Sequence, residues 1–348
     1  MAYSNIKDSS EHFHTQLYTG NGTAIGSGGN AITNNANSGN FKPDWTWHKV
    51  RSTANDHQVY DSSRGVKIRL NPNATNSDFT LNEGLQSFDT NGFTVGSDGG
   101  VNSNSQTYVA WQWKANGGTT ASNTSGSITS TVQANTDAGF SIVTFTGTGA
   151  TTTVGHGLGV KPSLHIIKNR SSSGNWFTYT SVIDGSLDFL YLNTSGAKID
   201  SGLSAPTTSV FTVNSTTAPN TDTIIAYCFA EKQGFSKIGS YTGNGSADGA
   251  FIYTGFQPAF VMIKRSDGAT NWRLFDNKRS GYNGDTSQLY PNLTNAEDSA
   301  GDQIDLLSNG FKNRTASGDQ NISGANYIYM AFAENPFVTS TGIPTTAR

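Results

Sequence analysis

Five short sequence blocks recur three times, in the same order, along this 348-residue chain. In the C-terminal third they open with Tyr241-Thr242-Gly243-Asn244-Gly245, continue through Pro258 and the apolar run Phe260–Ile263 to Lys264, then Asn271-Trp272 and Phe275-Asp276, then Gly310-Phe311, and close on Tyr327–Glu334. The middle third repeats the order with Phe145-Thr146-Gly147-Thr148-Gly149, Pro162 leading to Lys168, Asn175-Trp176, Val210-Phe211 and Ile225–Glu231. The first third does so with Tyr18–Gly22, Pro43 leading to Lys49, Tyr60-Asp61, Gly92-Phe93 and Tyr108–Trp113. The three landmark prolines lie 119 and then 96 residues apart. A chain built this way folds as repeated supersecondary units that bury their apolar faces against one another. The extra length of the first interval falls in a low-complexity Gly, Ser, Thr and Asn stretch that reads as a linker.

Composition sets the class of unit. Helix-forming residues are scarce, 19 Phe, 13 Tyr and 6 Trp favour strands, and 39 Gly punctuate turns. The expectation is an all-β chain of three tandem, related β-sandwich (jelly-roll-like) repeats of roughly 95–105 residues. The boundaries read as an N-terminal arm over 1–12, repeat one over 13–116, a linker over 117–139, repeat two over 140–232, repeat three over 233–335 and a tail over 336–348. Apolar runs such as Ile224–Ala230 suit strands covered on both faces. Whether the units stand in a row or close into a pseudo-threefold body is left open by the sequence.

Several functions are disfavoured. A net charge of −3 supplies no general basic field for nucleic acid. No apolar run is long enough to span a bilayer, and the first residues carry no secretory signal pattern. The single cysteine, Cys228, allows no disulfide framework and no cysteine-based zinc site within one chain. No His-Glu-x-x-His, Gly-x-Ser-x-Gly or phosphate-loop motif occurs, so neither an enzyme nor a cofactor is expected. The alternatives are a metal shared between chains by His12 and His14, and a glycan hydrolase drawing on Asp276, Asp285, Asp302 and Asp305.

Four residues are candidate ligand contacts. Trp176 and Trp272 recur at one place in two repeats and could stack on sugar rings, or serve as core aromatics. The first repeat has Gln58 near that place. Asp276 and Arg279 recur as Asp61 and Arg64, whereas the middle repeat has Thr180 and Ile183 there; a salt bridge across a turn is the structural alternative. Lys49, Lys168 and Lys264 end the same strand in each repeat, where lysine keeps strand ends soluble and unpaired, or forms a basic ring for an anionic glycan.

The blocks Tyr241–Gly249, Phe256–Arg265 and Tyr327–Phe337 resemble a repeated module of structural, tail-fibre-like proteins of marine and cyanobacterial tailed bacteriophages. The resemblance is best over about residues 235–348 and carries no catalytic residues with it. It implies a virion protein, made in the host cytoplasm and carried on the tail or capsid exterior. The expected partners are other virion proteins, further copies of the chain and a host-surface glycan. A tail-fibre or tail-associated receptor-binding component is the leading expectation. A capsid decoration protein and a polysaccharide-degrading tailspike are the alternatives.

Overall fold

The computed structural model describes residues 6–36, 41–284, 287–299 and 301–336. The chain is all-β, and one strand arrangement occurs three times. In the first unit, β1 (Phe13–Thr19), β2 (Trp45–Val50), β3 (Gln58–Asp61) and β4 (Thr107–Trp113) form an antiparallel sheet ordered β1-β4-β2-β3. In the second, β5 (Phe140–Thr146), β6 (Leu164–Asn169), β7 (Phe177–Thr180) and β8 (Thr223–Phe229) follow the same order, β5-β8-β6-β7. In the third, β9 (Ser236–Thr242), β10 (Phe256–Arg265), β11 (Arg273–Asp276) and β12 (Asn326–Pro336) do so again, β9-β12-β10-β11.

Strand alternation explains why these strands are apolar throughout. Successive side chains point to opposite faces. On β8, Ile225, Tyr227 and Phe229 enter the central core, while Ile224, Ala226 and Cys228 enter a second core on the other side. That outer face is covered by a smaller sheet in each unit: three strands in the first and third units, two in the second. Each unit is therefore a lopsided sandwich whose four-stranded sheet is buried on both faces.

The repeated Thr-Gly-x-Gly block has a backbone cause. A Cβ on Gly20, Gly147 or Gly243 would lie 2.1, 2.1 or 2.3 Å from a backbone oxygen of the facing loop. The next glycine of the block, Gly22, Gly149 or Gly245, has φ of +66, +70 or +67°. Only glycine meets both demands without strain.

The three units close into a ring. Trp113, Phe229 and Phe332 occupy corresponding places on β4, β8 and β12, and their rings lie 6.4, 6.0 and 5.6 Å apart pairwise, forming a triangle about a pseudo-threefold axis. Equivalent backbone hydrogen bonds cross all three seams. Gly174 N donates to Thr75 O (2.8 Å), Thr270 N to Ser195 O (2.9 Å) and Asn55 N to Thr294 O (2.8 Å). A second set runs from Asp78, Lys198 and Glu297 N to Arg170, Ser266 and Arg51 O. A row of units would leave no seam between the first and third.

Two sequence expectations are corrected here. Residues 117–139 are not a bare linker. Ser130–Asn135 pairs with β5 and Ala121–Asn123 pairs in turn with Ser130–Asn135, and with Asp188–Tyr191 and Ile199–Asp200 they widen the second unit's sheet to eight strands. Their polar side chains mislead because some lie exposed at the sheet's edge, as Ser122 does, while buried ones are satisfied within the chain: Ser130 Oγ donates to Gly155 O (2.8 Å), and Gln133 Nε2 donates to the Ser62 and Ser63 hydroxyls (3.0 and 2.9 Å). The arm also does not extend away over its described part. Ile6 is buried in the central core, and a short turn of 3-10 helix, Ser9–Glu11, is capped by the Asp8 carboxylate. Residues 1–5, and the expected tail beyond Pro336, lie outside the described residues.

Candidate functional site

The four candidate ligand residues all lie in the seams. Trp176 and Trp272 are fully buried and precede β7 and β11. The Trp176 indole Nε1 donates to Asn71 O of the first unit (2.9 Å), and that of Trp272 donates to Tyr191 O of the second (3.0 Å). Neither ring presents a face to a sugar. The third seam closes the same way with a different residue. Strand pairing places His57, not Gln58, at the tryptophan position, and its Nε2 lies 3.0 Å from Tyr290 O of the third unit. Because Trp47 Nε1 donates to His57 Nδ1 (2.9 Å), the ring is neutral and its proton sits on Nε2.

Asp276 and Arg279 are likewise structural. Arg279 Nε donates to Asp276 Oδ2 (2.6 Å), and Trp111 Nε1 of the first unit donates to the same oxygen (3.0 Å). Both side chains are completely buried. Arg64 and Asp61 repeat the pair, and there the Tyr227 hydroxyl of the second unit is the donor across the seam (2.7 Å). Asp276 is thus closed to a dissolved substrate. Asp305 holds Gly284 N (2.8 Å) in the outer layer of the third unit, and Asp285 lies outside the described residues.

The three lysines overturn both sequence readings. Lys49, Lys168 and Lys264 are buried, with each ammonium donating to backbone carbonyls: Val50 O (2.7 Å), Thr75 and Gly174 O (2.9 and 2.8 Å), and Arg265 and Gly268 O (2.6 and 3.3 Å). Burial lowers each to about 8. They pin loops and offer nothing to an external anion. His12 Nδ1 accepts from Asn135, and His14 Nε2 lies 3.0 Å from Asn35 Oδ1, so both are engaged within the chain. Among the described residues no three His, Cys, Asp or Glu side chains cluster to hold a metal.

The surface feature that stands apart was not singled out by sequence. Strand Phe251–Tyr253 forms the edge of the third unit's outer sheet, pairing with Gly310–Asn313. Ile252 points inward, while Phe251 and Tyr253 are 47% and 58% exposed on the other face. Tyr253 borders an open trough of about 450 Å³ that Glu231, Gln233, Ser236 and Lys237 also line. Lys237 Nζ donates to Glu231 Oε2 (2.7 Å), and Ile238 N donates to Glu231 Oε1 (3.3 Å), so the acidic side chain is held in place.

Register across the repeats makes this pair informative. Ile252 faces Phe311, as Ile32 faces Phe93 and Val154 faces Phe211. The positions of Phe251 and Tyr253 are therefore filled by Ala31 and Thr33 in the first unit, and by Thr153 and Gly155 in the second. The same strand forms three times, and only once with exposed aromatic rings. Comparison of the repeats at these outer-strand positions was the available signal; it lies between the recurring blocks, where the sequences share little.

No curated protein and no solved structure matches the chain. A family model matches residues 8–336, through all three units, and the chain accordingly belongs to the DUF7483 family, a domain of unknown function.

Proposed function

We propose that this chain is a structural protein of a bacteriophage virion, a tail-fibre or tail-associated component that contributes to host-receptor recognition by binding a surface glycan. The observation that carries this reading is the exposed Phe251 and Tyr253 pair. The fold forms with small residues at the equivalent places, so the rings are not required for folding, and exposed aromatic side chains beside polar groups are the usual material of recognition surfaces. The sequence resemblance to tail-fibre-like modules supports the setting. The ring supports the role mechanically: its core and all three seams close within one chain, which gives surface groups a rigid mount. Homo-oligomerisation belongs to the proposal as a way to multiply a weak site into useful avidity. The protein would be made in the host cytoplasm and act on the virion exterior.

Immuno-electron microscopy of purified virions tests the role. Label on the tail is the expected result. Label spread over the head would replace this reading with that of a capsid decoration protein binding only virion partners. Absence from virions would overturn both.

A further inference from the structure

We infer that the trough beside Tyr253 is a binding site for an uncharged pyranose sugar, with the Tyr253 ring as its stacking platform; this rests on the receptor-recognition reading and gives it a ligand class. Three observations converge. The first is the ring itself, more than half exposed on an edge strand, where the apolar C–H face of a pyranose can lie flat on the phenol while the hydroxyl faces solvent. The second is the polar lining. Glu231 supplies a fixed acceptor, Lys237 a donor and Gln233 both, the complement that adjacent sugar hydroxyls require. The third is charge. Glu231 and Lys237 neutralise each other as an ion pair, so the trough carries no net attraction for a carboxylated or sulfated sugar. A trough of about 450 Å³ is open at the surface and has room for a terminal sugar residue.

Phe251 lies two residues away on the same face and extends the platform, since side chains at i and i+2 share one side of a strand. The second sugar of a chain would lie over it.

The alternative for an exposed apolar edge is pairing with another protein strand. The observations favour sugar: the strand has only three residues, and the Glu231–Lys237 pair stands beside its C-terminal end rather than along a continuous apolar groove.

Saturation-transfer NMR on the full chain provides the test, with methyl β-D-glucopyranoside, methyl β-D-galactopyranoside and methyl α-D-mannopyranoside as neutral probes and N-acetylneuraminic acid as the charged one. The expected result is transfer to the ring C–H protons of at least one neutral glycoside. Tyr253→Ala should weaken that binding roughly tenfold or more, and Tyr253→Trp should retain it. Glu231→Gln should also weaken it, by removal of the charged acceptor. Because Thr33 and Gly155 stand at the equivalent places, Tyr253→Ala should fold with an unchanged Tm. No transfer to any neutral glycoside, transfer only to N-acetylneuraminic acid, or unchanged binding in a folded Tyr253→Ala chain would each overturn the site. A chain found on virion tails whose Tyr253→Ala form still binds glycosides refutes the site and leaves the tail role standing. Glycoside binding through Tyr253 by a chain absent from virions does the reverse.

Discussion

The seam between the first and second units and the seam between the second and third solve the same problem differently. In the former, the buried Asp61–Arg64 pair receives the Tyr227 hydroxyl from the neighbouring unit. In the latter, strand register puts Thr180 at the aspartate position and Met330 at the donor position, with Ile183 in place of arginine. Acid, base and donor are present together or missing together. The third seam, with Asp276, Arg279 and Trp111, follows the first pattern. The lesson is that none of these groups tolerates burial alone: a lone carboxylate or guanidinium in this core would be heavily penalised, whereas a wholly apolar substitute is nearly neutral. The pair recognises a neighbouring unit, and its absence from the middle repeat reflects the residue facing it.

The largest break in this comparison should come from Asp61→Ala. It strips the buried Arg64 of its carboxylate and the Tyr227 hydroxyl of its acceptor, and should cost about 3–5 kcal/mol in equilibrium denaturation. Thr180→Ala loses a hydroxyl that donates to Ser163 O, for about 1 kcal/mol. Equal losses at the two sites would refute the contrast between the seams.

Next in size is the tryptophan contact. Trp272→Phe removes the indole donor to Tyr191 O, which keeps only the long turn bond from Thr194 N (3.3 Å), and removes ring volume from a filled site, and should cost about 1–3 kcal/mol. Trp176→Phe should match it within error, because Asn71 O is the equivalent acceptor. Thermal unfolding of the two variants side by side checks whether the seams are as alike as their geometry.

The smallest effect separates the histidine seam from the two tryptophan seams. Burial, with a further contribution from Lys49, holds His57 well below the usual histidine range, and its Nδ1 already accepts from Trp47. Below pH 6.5 the unfolded chain takes up this proton and the folded chain does not. Stability therefore falls as pH falls, by about 1 kcal/mol between pH 6.5 and 5.5 from this residue and with a slope approaching about 1.4 kcal/mol per pH unit below that. His57→Gln keeps one donor and one acceptor without a titration. Its stability should decline less steeply between pH 6.5 and 5.5 than that of the parent chain, and identical slopes would remove His57 from the account. His48 and His165, lowered to about 3 by burial, contribute to the slope of both chains alike.

Much of this fold is legible in the residues. The Thr-Gly-x-Gly blocks mark places where a Cβ would collide with backbone and where φ is positive, and both demands are local. The apolar runs Ile224–Ala230 and Tyr327–Ala333 announce strands covered on both faces. The candidate site was less legible. Trp176, Trp272, Asp276 and Arg279 recur because the seams recur, and recurrence by itself does not distinguish a seam from a ligand surface. Phe251 and Tyr253 matter because they fail to recur, which is visible only once the register identifies Ala31, Thr33, Thr153 and Gly155 as their counterparts.

What the sequence determined by itself is the unit: an antiparallel sandwich made three times, its turns fixed by glycine and its strands by alternating apolar side chains, all of which are short-range demands. What only the tertiary structure decided is the ring. Closure depends on carbonyls such as Asn71 O, Tyr191 O and Tyr290 O, which every residue possesses and no sequence pattern marks, and on rings such as Trp113, Phe229 and Phe332 meeting from positions about a hundred residues apart. The same closure buries the lysines that read as surface groups and leaves one aromatic pair outside, because a side chain's exposure depends on what the rest of the chain packs against it.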